Sequence, residues 1–148
     1  MKTLSRLLLA VALTGLTANT ALAYQLSPPG ISAKLRGTLT FYSRGGQQPF
    51  KCKVTFDLKT KGIIKAASVD TPGGCNALFF GAFPWFIGVG TANTGQFGPF
   101  DFSGGGGTCN QGIVPFQVNS SSIWSLPSLS GTCIAGTMTS SPPVTIVP

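Results

Sequence analysis

Four cysteines, three aspartates and ten lysines or arginines make up most of the reactive inventory of this chain, which has no histidine and no glutamate. Without histidine there is no Ser-His-Asp or Cys-His arrangement and no imidazole general base. A carboxylate pair would have to come from Asp57, Asp70 and Asp101. Asp57 lies among Lys51, Lys53 and Lys59, where a solvated ion pair is the simpler account. Asp70 and Asp101 border turn-forming segments, where aspartate commonly bonds its own backbone. Serine and lysine are both abundant, yet no Ser-x-x-Lys spacing occurs. Gly104 to Gly107 is not followed by the Lys-Ser/Thr of a phosphate loop, and Gly88-Val89-Gly90 lacks the third glycine of a dinucleotide turn. Cys52, Cys75, Cys109 and Cys133 are too widely spaced, with no histidine among them, for a zinc site. The inventory reads as non-enzymatic, with no cofactor and no metal.

The cysteines have a different use. They are even in number, and the chain opens like an exported one: Lys2 and Arg6, an apolar run from Leu7 to Leu16, then Ala21-Leu22-Ala23 as a cleavage site. The apolar run is half the length that spans a bilayer. Residues 1–23 therefore read as a cleaved Sec signal peptide. A secreted or cell-surface product is expected, with the periplasm as an alternative and no transmembrane segment in the mature chain. In an oxidising compartment four cysteines imply two disulfides. Three pairings are open. Cys52–Cys75 with Cys109–Cys133 is preferred, because each bridge would close a loop of about two strands and add about 3 kcal/mol.

The elements that must position these residues are strands. Phe50 to Lys59 alternates, with Phe50, Cys52, Val54, Phe56 and Leu58 on one face and polar residues on the other. Leu35, Gly37, Leu39 and Phe41 alternate the same way, and Arg44 to Pro49 is a connection of hairpin length. Further strands are expected at 63–69, 85–89, 96–102, 112–118, 131–139 and 144–147, separated by Gly- and Pro-rich turns at Lys61-Gly62, Thr71 to Gly74, Gly104 to Gly107 and Ser140 to Pro143. This spacing predicts an all-β domain over 34–148, an antiparallel sandwich or small barrel, preceded by an extended segment at 24–33.

Two surface features carry functional content. Every basic residue of the expected mature chain lies between Lys34 and Lys65, and everything beyond is nearly uncharged. On the expected hairpin, Lys34, Arg36, Lys51, Lys53 and Lys59 share a face. That face is either plain solvated surface that blocks edge pairing or a site for an anionic polysaccharide. No motif supports specific nucleic-acid recognition. The second feature is Leu78 to Ile87, which holds Phe79, Phe80, Phe83, Trp85 and Phe86. Alternation fails here, so the region is either a buried strand with a core loop or an exposed apolar contact surface. Pro84 argues against an uninterrupted central strand.

These residues bring a family into view. The signal-like start, the Cys52 strand, Gly74-Cys75, Phe83-Pro84-Trp85, Gly131-Thr132-Cys133 and a short final strand together resemble the secreted activators of alkane oxidation of the PraA/PraB type. The resemblance implies an extracellular, non-catalytic protein that helps cells contact or emulsify hydrophobic substrates, or that joins a biofilm surface. It implies no catalytic residues. The expected partners are a hydrophobic surface or hydrocarbon, or further copies of the chain, with an anionic polysaccharide as a further candidate. The alternative function is a structural subunit of a matrix fibre or pilus-like assembly, in which Tyr24 to Ala33 would exchange between subunits.

Overall fold

A computed structural model describes residues 23–42, 48–70, 75, 78–104 and 107–148. Residues 1–22 of the expected export signal lie outside the described residues, as do 43–47 of the expected hairpin turn, the turn at 71–74, and 105–106 of the glycine run.

Among the described residues there are eleven strands: β1 (Gln25–Ser27), β2 (Ser32–Phe41), β3 (Phe50–Lys59), β4 (Ile63–Val69), β5 (Phe79–Gly81), β6 (Trp85–Val89), β7 (Thr94–Gly104), β8 (Gly107–Val118), β9 (Ile123–Leu126), β10 (Ile134–Ser141) and β11 (Thr145–Val147). All pairings are antiparallel. Taken in the order β2-β3-β4-β6-β7-β8-β9-β10, the strands close on themselves through β10–β2 and β7–β8. The fold is thus a closed eight-stranded barrel, the second of the two architectures expected. β5 adds to β7 beside β6, so β5 and β6 act as two halves of one broken strand.

The β2–β3 hairpin follows its alternation residue by residue. Leu35, Leu39, Phe41, Cys52, Val54, Phe56 and Leu58 are all buried. Register pairs Leu35 with Phe56 and Leu39 with Cys52 on the inner face. An eight-stranded barrel is just wide enough for its own side chains, and here aromatic rings fill it. Trp85 is the hub: Phe83 and Phe97 stack on it at centroid distances of 4.5 and 5.7 Å, and Phe56 and Phe100 meet it edge-on at 5.4 and 5.0 Å. Its indole N–H donates to the Gly81 carbonyl at 2.8 Å, satisfying the one polar group it buries.

Where inward residues fall out of alternation, a bulge restores them. Phe97 pairs with Val114 and Phe100 with Gly112, so Gly98 and Pro99 stand opposite Ile113 alone. The extra residue lets Phe97 and Phe100 both point inward although they are three apart. In β4 the shift between Asp57 and Leu58 leaves Lys65 as the extra residue and keeps both Ile64 and Ala67 against the inner row of β3.

β1 and β11 form a separate two-stranded ribbon, with Leu26 opposite Ile146 and both buried. The ribbon continues the β2–β10 pair, since Lys34 of β2 stands opposite Ser141 of β10. Each strand is interrupted at the same sequence, Ser27-Pro28-Pro29 on one side and Ser141-Pro142-Pro143 on the other. Proline has no N–H for the ladder, so both strands leave the sheet together. The segment 24–33, expected as an extended lead-in, contains β1, paired with β11, and the first two residues of β2.

Sequence reasoning missed β1, β5 and β9 as strands. It also began β8 five residues late, because Gly107 to Gln111 reads as loop by composition, and it placed β10 at 131–139 rather than 134–141.

Candidate functional site

The cysteines pair as preferred, Cys52 with Cys75 and Cys109 with Cys133, with Cα–Cα distances of 5.8 and 6.0 Å. Both separations fall in the range a disulfide spans. The second bridge sits where the barrel ladder is thin. β8 pairs with β9 only at Gln117 and Val118, and farther along β8 Cys109 meets Cys133 of the connection after β9. Gln111, set free by the β8 irregularity, reaches the same gap: its side-chain carbonyl accepts from the Cys133 amide at 2.7 Å. A covalent and a hydrogen-bonded tie thus stand in for missing ladder bonds.

The three carboxylates do not meet. Asp57 pairs with Lys34 on the outside of β2–β3. Asp70 accepts from the Thr55 hydroxyl at 2.5 Å, and Asp101 lies beside Gly81 on the far wall. Among the described residues no group of three or more His, Cys, Asp or Glu is placed to hold a metal. A depression of about 700 Å³ near Asn93, Gln117, Asn119 and Thr145 has no titratable group in its lining. What distinguishes this surface is the segregation of charge from apolar side chains.

One wall is basic. Because β2, β3 and β4 are adjacent, the run of cations along the chain becomes a patch in space. Lys34, Arg36, Lys51 and Lys53 are exposed on its outer face, joined by Lys65, while Lys59 is half-buried and donates to the Ser32 hydroxyl. All five basic residues singled out in the sequence are brought to this one wall. Cations alternate with hydroxyls: Thr38 stands opposite Lys53, Thr40 opposite Lys51, and Thr55 opposite Arg36.

The other wall, β5 to β8, carries Asp101 as its single charged residue among those described. The large apolar side chains that are exposed lie here or in the connection after β9: Phe79 at 66%, Phe86 at 61% and Ile113 at 55%, with Leu129 in that connection. Phe86 stands opposite Gly98, and Ile113 flanks Gly98 from β8. The three strands leave a shallow groove of about 320 Å³ that holds Gly88 and Gly98 between Phe86 and Ile113, with the exposed Gln96 also in its lining.

The five aromatic candidates divide between wall and core. Phe79 and Phe86 project outward from β5 and β6. Phe80 and Phe83 are half-buried and pack on the core, Phe80 within 6.0 Å of Trp85. Trp85 is fully buried, so it has no surface to offer to a contact and belongs to the packing of the barrel. Ile113 was missed. The signal was present in the alternation of β8, where Val114, Phe116 and Val118 point inward and leave Ile113 outside.

A family model described as alkane oxidation protein activator PraA/PraB-like covers residues 1–148. No curated protein and no solved structure matches the chain.

Proposed function

We propose a function from one premise: this chain belongs to the alkane oxidation protein activator PraA/PraB-like family. The protein is a non-catalytic, exported surface protein that promotes contact between cells and hydrophobic material, and it does so with the β5–β8 wall. The observation that carries this reading is the confinement of Phe79, Phe86 and Ile113 to the nearly uncharged half of the barrel. Isolated exposed apolar residues are ordinary on proteins. Here two of them flank the groove that holds Gly88 and Gly98, with a third on the same outer face, and that wall has a single charge. Such a surface loses less on leaving water for hydrocarbon than the basic wall would, because a single charged side chain must be desolvated, although Gln96, Ser103, Thr108, Asn110 and Gln117 are exposed on β7 and β8. The packed interior supports an interfacial role over a carrier role, since Trp85 and its neighbours occupy the space an enclosed ligand would need. Export by residues 1–23 and the two cystines fit an oxidising compartment.

The test is droplet stabilisation. Purified oxidised protein is mixed with a long-chain alkane, and the lifetime of the emulsion is compared with that of Phe79→Ser/Phe86→Ser/Ile113→Ser. The wild type is expected to stabilise droplets, and the triple variant to lose that property while keeping its thermal midpoint within a few degrees. A triple variant that stabilises droplets as well as the wild type overturns the assignment of this wall.

A further inference from the structure

We infer that the basic wall of β2–β3 is a binding surface for a carboxylated, anionic polysaccharide, centred on Arg36, Lys51 and Lys53. The first argument is position. Thr38 and Thr40 stand directly opposite Lys53 and Lys51, so Arg36 is the diagonal neighbour of Lys53, roughly 7–8 Å away. Lys51 and Lys53 are two residues apart on one strand, about 7 Å. Three cations at this spacing repel one another, and a bound polyanion relieves that repulsion.

The second argument concerns the balance of charge along the wall. At the other end of the wall, Lys34 is paired with Asp57, Lys65 lines the same depression as that pair, and Lys59 donates to Ser32. At the Arg36 end Asp70 accepts from Thr55 and shares a shallow depression of about 270 Å³ with Arg36, Gly37, Thr38 and Lys53. Asp57 and Asp70 thus stand against Lys34, Arg36, Lys51, Lys53, Lys59 and Lys65, so the wall as a whole keeps a positive excess, most densely where Arg36, Lys51 and Lys53 cluster.

The third argument chooses the partner. The exposed large apolar side chains of the described residues do not lie on β2, β3 or β4. A wall that docks on an anionic membrane gains from apolar side chains that enter the headgroup layer, and this wall has none. It offers cations interleaved with threonine hydroxyls, which suit carboxylates interleaved with sugar hydroxyls. The inference stands apart from the hydrocarbon reading, because it uses the opposite wall and its test contains no oil.

The experiment measures retention of the oxidised protein on an immobilised polyuronate along a salt gradient, with a neutral polysaccharide as the reference matrix. Retention on the polyuronate alone, falling steeply with salt, is expected. Arg36→Gln/Lys51→Gln/Lys53→Gln should weaken binding about tenfold, the sum of three modest surface ion pairs. The charge-matched control Lys59→Gln/Lys61→Gln/Lys65→Gln should weaken it much less. Equal losses in both triples would reduce the effect to net charge and overturn the site. So would retention of the first triple at wild-type salt. Vesicles of phosphatidylglycerol form a separate arm: binding there as tight as on the polyuronate, and equally sensitive to the first triple, would reassign the wall to lipid phosphate. Thermal midpoints of all variants, expected to match the wild type, separate lost binding from lost fold.

Discussion

Trp85 and Phe86 are adjacent in β6 and lie on opposite sides of the barrel wall: Trp85 is fully buried at the centre of the ring cluster, and Phe86 is 61% exposed beside Gly98. One peptide bond separates the most connected core residue from a main element of the proposed contact surface. Substitution should therefore split the two roles. Trp85→Ala removes a buried ring that packs on Phe56, Phe83, Phe97 and Phe100, and it should cost about 3–5 kcal/mol of stability. Phe86→Ser should cost less than about 1 kcal/mol, because the side chain is largely in water already. Urea unfolding followed by tryptophan fluorescence for Phe86→Ser, and by far-UV circular dichroism for Trp85→Ala, measures both. Similar midpoints for the two variants would show that Trp85 is not the hub described.

The groove beside Phe86 depends on a glycine for a steric reason. A Cβ at Gly98 would lie 2.0 Å from the Gly112 carbonyl oxygen, which is backbone and cannot swing aside. Gly98→Ala should push β7 and β8 apart at the bulge that keeps Phe97 and Phe100 both inward. A loss of about 2 kcal/mol or more is expected, as for other overpacked sites. Gly90→Ala, with no atom within 4 Å of the added carbon, serves as the comparison and should change stability by well under that amount. The denaturant midpoints of the two variants decide it.

Cys52–Cys75 ties β3 to the connection before β5, across a separation of 23 residues. Replacing both cysteines by serine should lower stability by about 3 kcal/mol through the freed unfolded chain. The wild type under reductant should unfold at a correspondingly lower urea concentration, and the variant should move less on adding reductant because only Cys109–Cys133 remains to be broken. A variant whose midpoint equals that of the oxidised wild type would show that this bridge adds nothing to the fold.

Much of this was legible in the residues. The alternation of β2 and β3, the all-β class and the disulfide pairing preferred from loop lengths all agree with the structure, because each depends on local period or on separation along the chain. The clustering of cations was also legible, since Lys34 to Lys65 spans three strands that are hairpin neighbours. The aromatic stretch was not. Phe80 and Trp85 are an odd number of positions apart and both turn inward, which a period of two forbids. Ala82, with φ at +59°, breaks the strand between them and resets the parity. Phe97 and Phe100 are reset in the same way by the bulge at Gly98. Parity shifts of this kind leave no pattern in composition, because they are selected by which rings fit together inside a closed barrel. Closure itself, through β7–β8 and β10–β2, is a long-range choice of partners. Sequence by itself thus determined most of the longer strands, the cystines and the side of the barrel that is charged. The tertiary structure alone decided which aromatic side chains fill the interior and which are left facing water, because a side chain's direction depends on the register of the strand beside it.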